Sequence, residues 1–120
     1  MRWATPAVAV AFLLAGCTTA EPARAVAGCS SAAPGVLAVE SELLSGQAVP
    51  APRRVEVPLG STVQVRVTAD KVVPIHVHGY EIEYDAAPGT PECVQFTADR
   101  AGVFDVEAHP GLLLVQLEVR

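Results

Sequence analysis

Thr62-Val63-Gln64-Val65-Arg66-Val67-Thr68 alternates apolar and polar residues without a break. An extended strand sends successive side chains to opposite faces, so Val63, Val65 and Val67 point inward while Gln64 and Arg66 point outward. Leu59-Gly60-Ser61 reads as the tight turn leading into it. After Ala69-Asp70-Lys71 a second alternating stretch follows, Val72-Val73-Pro74-Ile75-His76-Val77-His78-Gly79-Tyr80. Its pattern places Val73, Ile75 and Val77 on one side and His76, His78 and Tyr80 on the other. Gly79 breaks the strand just beyond the two histidines.

The same period of two extends in both directions. Val36 to Glu40 forms the expected first strand, Ser45-Gly46 and Pro50-Ala51-Pro52 break the chain, and Arg54-Val55-Glu56-Val57 alternates again. Downstream come Glu81 to Tyr84, the turn Ala87-Pro88-Gly89, Glu92 to Thr97, Gly102 to Glu107 with Phe104 and Val106 inward, and Leu112 to Val119. Seven or eight short strands separated by Gly/Pro turns, with no helical stretch, predict an all-β protein. The expected architecture is an antiparallel Greek-key β-sandwich over residues 35–120.

The start of the chain carries an address. Arg2 supplies a short basic region, and Ala4 to Leu14 supply an apolar run too short to span a bilayer. Leu14-Ala15-Gly16-Cys17 resembles the lipobox of bacterial lipoproteins, which makes residues 1–17 a lipoprotein signal peptide and Cys17 the lipidated first residue. Rival cuts exist at Ala25-Val26-Ala27 and at Val26-Ala27-Gly28-Cys29, but Glu21 and Arg24 separate them from the apolar run. Residues 18–34, rich in Ala, Thr, Ser and Pro and without periodicity, read as a disordered tether. The expected location is the extracytoplasmic face of a membrane. With Cys17 acylated, Cys29 and Cys93 remain as an even pair, and an oxidising exterior favours a disulfide between them.

Composition narrows the function classes. The net charge is −5, Lys71 is the sole lysine, and no basic cluster exceeds Arg53-Arg54. A phosphate-tracking surface needs a basic stripe, so nucleic-acid binding is not expected. Ser30, Ser31, Ser41, Ser45 and Ser61 lack the context of a catalytic nucleophile, and Glu81, Glu83 and Asp85 read as a solvated strand face. No enzymatic activity is expected.

Three segments together resemble cupredoxin-like domains. They are Val55-x-Val57-Pro58-Leu59-Gly60-x-x-Val63-x-Val65-x-Val67, then Ile75-His76, then Phe96-Thr97-Ala98-Asp99-x-x-Gly102-x-Phe104. His76-Val77-His78-Gly79-Tyr80 with the Leu-rich last strand looks like a subgroup of secreted cupredoxin-like proteins of undefined function. The resemblance implies a Greek-key sandwich and a first copper ligand at His76. It also implies a cysteine at the position held by Ala108 and a second histidine at that held by Gly111. His109 stands out of that register, and no methionine follows Met1. A blue copper site needs a thiolate, two imidazoles and usually a weak axial donor. Cys93 precedes Phe96 and lies at the wrong end of the pattern, so a blue-copper carrier is rejected.

Another metal site stays open. Glu107 and His109 form a second i, i+2 pair, and the cupredoxin layout implies that this strand end lies beside the His76 strand. His76, His78, His109 and Glu107 are then the candidate ligands of a site suited to copper or zinc. The competing reading is a metal-free module for protein contacts in the cell envelope, with the histidines as surface and turn residues. The anchor has a direct test. Cys17→Ser should release the protein from the membrane fraction or leave its leader uncleaved, and a processed variant that still partitions with lipid would refute the assignment.

Overall fold

The computed structural model describes residues 24–27, 31–89 and 92–120. The signal peptide, Cys17 and Cys29 lie outside the described residues. Among the described residues there are ten strands and no helix: β1 (Arg24–Ala27), β2 (Leu37–Leu44), β3 (Gln47–Val49), β4 (Arg53–Val57), β5 (Thr62–Ala69), β6 (Val73–Val77), β7 (Ile82–Ala86), β8 (Glu92–Thr97), β9 (Gly102–Ala108) and β10 (Leu112–Val119). They form two five-stranded sheets with the orders β1-β8-β5-β2-β3 and β4-β10-β9-β6-β7. The strand β1 falls inside the stretch read as a tether and pairs with β8, Val26 opposite Cys93.

The expected sandwich is formed, and the alternation explains it. On β5, Val63, Val65 and Val67 are at most 1% exposed; on β6, Ile75 and Val77 are fully buried. Val94 and Phe96 on β8, and Val106, Leu114, Val115 and Leu117 on β9 and β10, complete the layer between the sheets. Each fully buried Val, Leu or Ile contributes about 1.5–3 kcal/mol. A register shift between Leu113 and Val115 marks a bulge on β10. It lets two consecutive residues, Leu114 and Val115, both enter the core, which strict alternation forbids.

Two pairings depart from the antiparallel pattern: β2 runs parallel to β5, and β4 runs parallel to β10. Parallel neighbours need a long connection. The chain supplies it by crossing to the second sheet at β4 before returning at β5, and by closing with β10 beside β4 only at its end. The short strand β3 pairs with β2 only at Glu42–Leu44. Beyond it, the Arg53 guanidinium donates to the Glu40 carbonyl at 2.8 Å.

Gln64 faces outward as expected but is only 9% exposed. Its amide donates to Cys93 Sγ at 3.0 Å on the same outer face. Cys93 is disulfide-bonded. The expected Cys29 pairing falls outside the described residues.

Tyr84 on β7 is 8% exposed and points its hydroxyl at the Val65 carbonyl, 3.4 Å away on the facing sheet. Burial pushes its phenol well above the ordinary value, and the Glu92 charge adds to the effect. The raised folded-state value means that the folded protein holds this proton more tightly than the unfolded chain does. The contribution is therefore complete below the ordinary phenol pKa of about 10 and is lost as pH rises beyond it, by about 1.4 kcal/mol per pH unit. Denaturant titrations from pH 8 to 12 should show that loss, and Tyr84→Phe should flatten it. An unchanged alkaline slope in the variant would mean that Tyr84 is not the group responsible.

Candidate metal centre

The strand β6 sets the site. Because Ile75 and Val77 are pinned in the core, His76 between them must face outward from the second sheet. Its cross-strand partners are Glu107 on β9 and Glu83 on β7, so an imidazole lies between two carboxylate-bearing positions on one face. His78 follows directly after the strand, where its N–H donates to the Asp105 carbonyl at 2.9 Å. His109 sits in the β9–β10 turn, and its N–H donates to the Pro74 carbonyl at 2.9 Å. These two backbone bonds bracket the antiparallel pairing of β6 with β9 and set His78 and His109 on either side of His76.

The three imidazoles gather at one place. The ring centroids of His76 and His78 are 4.1 Å apart, and those of His76 and His109 are 6.4 Å apart with nearly parallel planes. His78 Nε2 lies 2.8 Å from Glu107 Oε2, and His76 Nε2 lies 3.6 Å from Glu81 Oε2. A shallow pocket of about 60 Å³ is lined by His76, His78, Glu107, His109, Pro110 and Gly111. That volume is about that of one or two waters, whose share in the liquid is about 30 Å³ each. The donor types fit copper or zinc. Their positions are not those of a preformed site: among the described residues no three His, Cys, Asp or Glu side chains stand ready to hold a metal. The His78 bond to Glu107 already engages one imidazole nitrogen.

Other sequence expectations resolve differently. Ala108, at the position where the resemblance places a cysteine, is 1% exposed and faces the core. Cys93 belongs to the opposite sheet. Tyr80 leaves the histidine face altogether. Gly79 and Glu81 both take positive φ, +80° and +51°, so the chain turns instead of continuing its alternation. Tyr80 then packs on Phe96 and Phe104 with ring centroids 4.6 and 4.9 Å away, under the Arg100 guanidinium. Glu81 and Glu83 are exposed, as the reading of a solvated face expects, and Glu81 Oε2 also comes within 3.6 Å of His76 Nε2. The signal for this neighbourhood was the hairpin itself: pairing Val77 with Ile82 places Glu83 opposite His76.

With this geometry in view, comparison with solved structures is informative. A copper binding protein solved in its apo form matches with a TM-score of 0.59 and 13% identity, covering 75% of this chain and 93% of that one. The periplasmic domain of cytochrome oxidase subunit II from Bradyrhizobium japonicum matches with a TM-score of 0.57 and 16% identity, covering 70% and 83%. A P52G mutant of amicyanin matches with a TM-score of 0.52 and 15% identity, covering 83% of this chain and all of that one. The fold is cupredoxin-like. No family model and no curated protein matches the sequence.

In this cupredoxin-like domain the turn after His78 depends on one glycine. A Cβ on Gly79 would lie 2.2 Å from Phe104 Cδ1, and the residue's φ of +80° is one that L side chains rarely adopt. Gly79→Ala should therefore cost about 2–4 kcal/mol from backbone strain and overpacking together. It should also shift the His78 ring resonances, because the turn that carries them must move. A thermal midpoint equal to that of the parent protein would contradict this account of the turn.

Proposed function

We propose that the chain is a membrane-tethered, extracytoplasmic lipoprotein whose cupredoxin-like domain binds a divalent metal, Cu(II) or Zn(II), for storage, delivery or sensing. The observation that carries this reading is the gathering of His76, His78 and His109 around one pocket that Glu107 also lines. The metal is cargo on this reading, and no catalytic step is assigned to the chain. Imidazole nitrogens and a carboxylate oxygen suit these ions, and a Cu(II) site of this composition lacks the thiolate that produces intense blue colour. Glu107 also has a supporting role open to it. A carboxylate that accepts from one ring nitrogen of a ligating histidine orients the ring and raises the basicity of the other nitrogen. The His78–Glu107 bond has that form.

A second reading rests on the same bond. His78 and Glu107 satisfy each other without a metal, and the donors are not preassembled. A metal-free module presenting this face to another envelope protein is consistent with both facts.

Metal titration of the purified chain separates the two. Stoichiometric uptake of Cu(II) or Zn(II) should move the histidine ring resonances and weaken as pH falls below about 6, because neutral imidazole is the ligand form. His76→Ala and His109→Ala should each lower affinity at least about tenfold, and Glu107→Gln should cost less. Ring resonances unmoved by either metal would favour the metal-free module, and an intense blue band with Cu(II) would contradict the donor set.

A further inference from the structure

The second sheet ends in two edge strands, β4 and β7. On the β4 side the Arg53 guanidinium reaches across to the Glu40 carbonyl of the other sheet and guards the border. For β7 (Ile82–Ala86) the described residues show pairing with β6 alone. In an antiparallel strand every second residue aims its N–H and C=O away from the partner strand, so β7 offers a row of backbone donors and acceptors along its other side. Ile82, Tyr84 and Ala86 are buried and hold this edge in place, while Glu83 and Asp85 between them are exposed. Those two carboxylates stand opposite His76 and Pro74, and among the described residues neither forms an ion pair.

The charges select the occupant of the edge. Residues directly opposite each other in an antiparallel pair share a face. A second copy that paired through its own β7, with its apolar side chains inward, would therefore set the carboxylates of one copy against those of the other. Like charges directly opposite are destabilising. A strand with lysine or arginine at alternate positions meets the same row with attraction. We propose that β7 is a docking edge for an extended basic segment of another protein, which adds to the second sheet with its cationic side chains beside Glu83 and Asp85. The backbone bonds supply the attachment and the carboxylates supply the selection. This docking is independent of whether the histidine pocket takes a metal.

The test titrates the purified full chain, without added metal, with a short end-capped peptide that alternates lysine and valine, and follows the backbone amide resonances. Shifts should concentrate on Ile82–Ala86, and affinity should fall as salt is raised. A peptide with glutamate in place of lysine should not bind. Glu83→Lys combined with Asp85→Lys, confirmed as folded by circular dichroism, should weaken the basic peptide about tenfold or more. The same basic peptide methylated on its backbone nitrogens keeps its charge and loses its backbone donors, so it should bind at least about tenfold more weakly. Equal binding of the methylated peptide would mean that charge alone attracts it and would overturn strand addition. Absence of binding at millimolar peptide, shifts confined to other strands, or an unweakened double variant would overturn the proposal as well. Concentration-dependent broadening of the β7 amides without peptide would identify a second copy as the occupant and overturn it too.

Discussion

Complete burial of Ile75 and Val77 fixes the strand that carries the candidate site. The side-chain period of a strand is two, so a one-residue slip would drive His76 into the core and push both aliphatic side chains into water. That slip would forfeit about 3–6 kcal/mol of apolar burial and leave an imidazole among valines without a hydrogen-bond partner. The histidine therefore faces outward because of its neighbours. The positions of Glu83 and Glu107 follow, since strand pairing holds both opposite His76 once β6 is set. Arrangement of the polar face is a consequence of how the apolar face packs.

Much of this was legible in the sequence because alternation is a local signal. Val63, Val65, Val67, Ile75 and Val77 are buried where the pattern puts them, and β10 spans Leu112–Val119 as the pattern marks it. What the pattern could not show depends on partners distant in sequence. The parallel neighbours β2 and β5, and β4 and β10, follow from crossovers that leave no trace in either strand alone. Burial of the outward-facing Gln64 depends on Cys93 from β8. Tyr80 was misplaced for a local reason: a positive-φ residue stands on each side of it, and periodicity has no term for a turn that reverses a face. The candidate ligands were legible as residue types, and their gathering follows from the pairing of β6 with β9. Their incomplete convergence was not legible, because it depends on rotamers and on the His78–Glu107 bond.

That bond is the point at which the competing roles meet. An imidazole engaged with a carboxylate has one nitrogen committed and one remaining, which is as compatible with a resting surface as with a ligand held in a fixed orientation. The surrounding carboxylates, on a protein of net charge −5, give this face a negative field.

The contact between the Arg53 guanidinium and the Glu40 carbonyl has a consequence for association. The strand β3 accompanies β2 only over its last three residues, Glu42–Leu44, and the earlier part of that border is where another extended chain would attach. A positively charged, bulky group already occupies an acceptor there. Any incoming backbone must displace it and leave the cation beside the new interface, which discourages strand addition and the fibrous aggregation that starts from it. A sandwich that meets its own copies benefits from a border that resists strand addition.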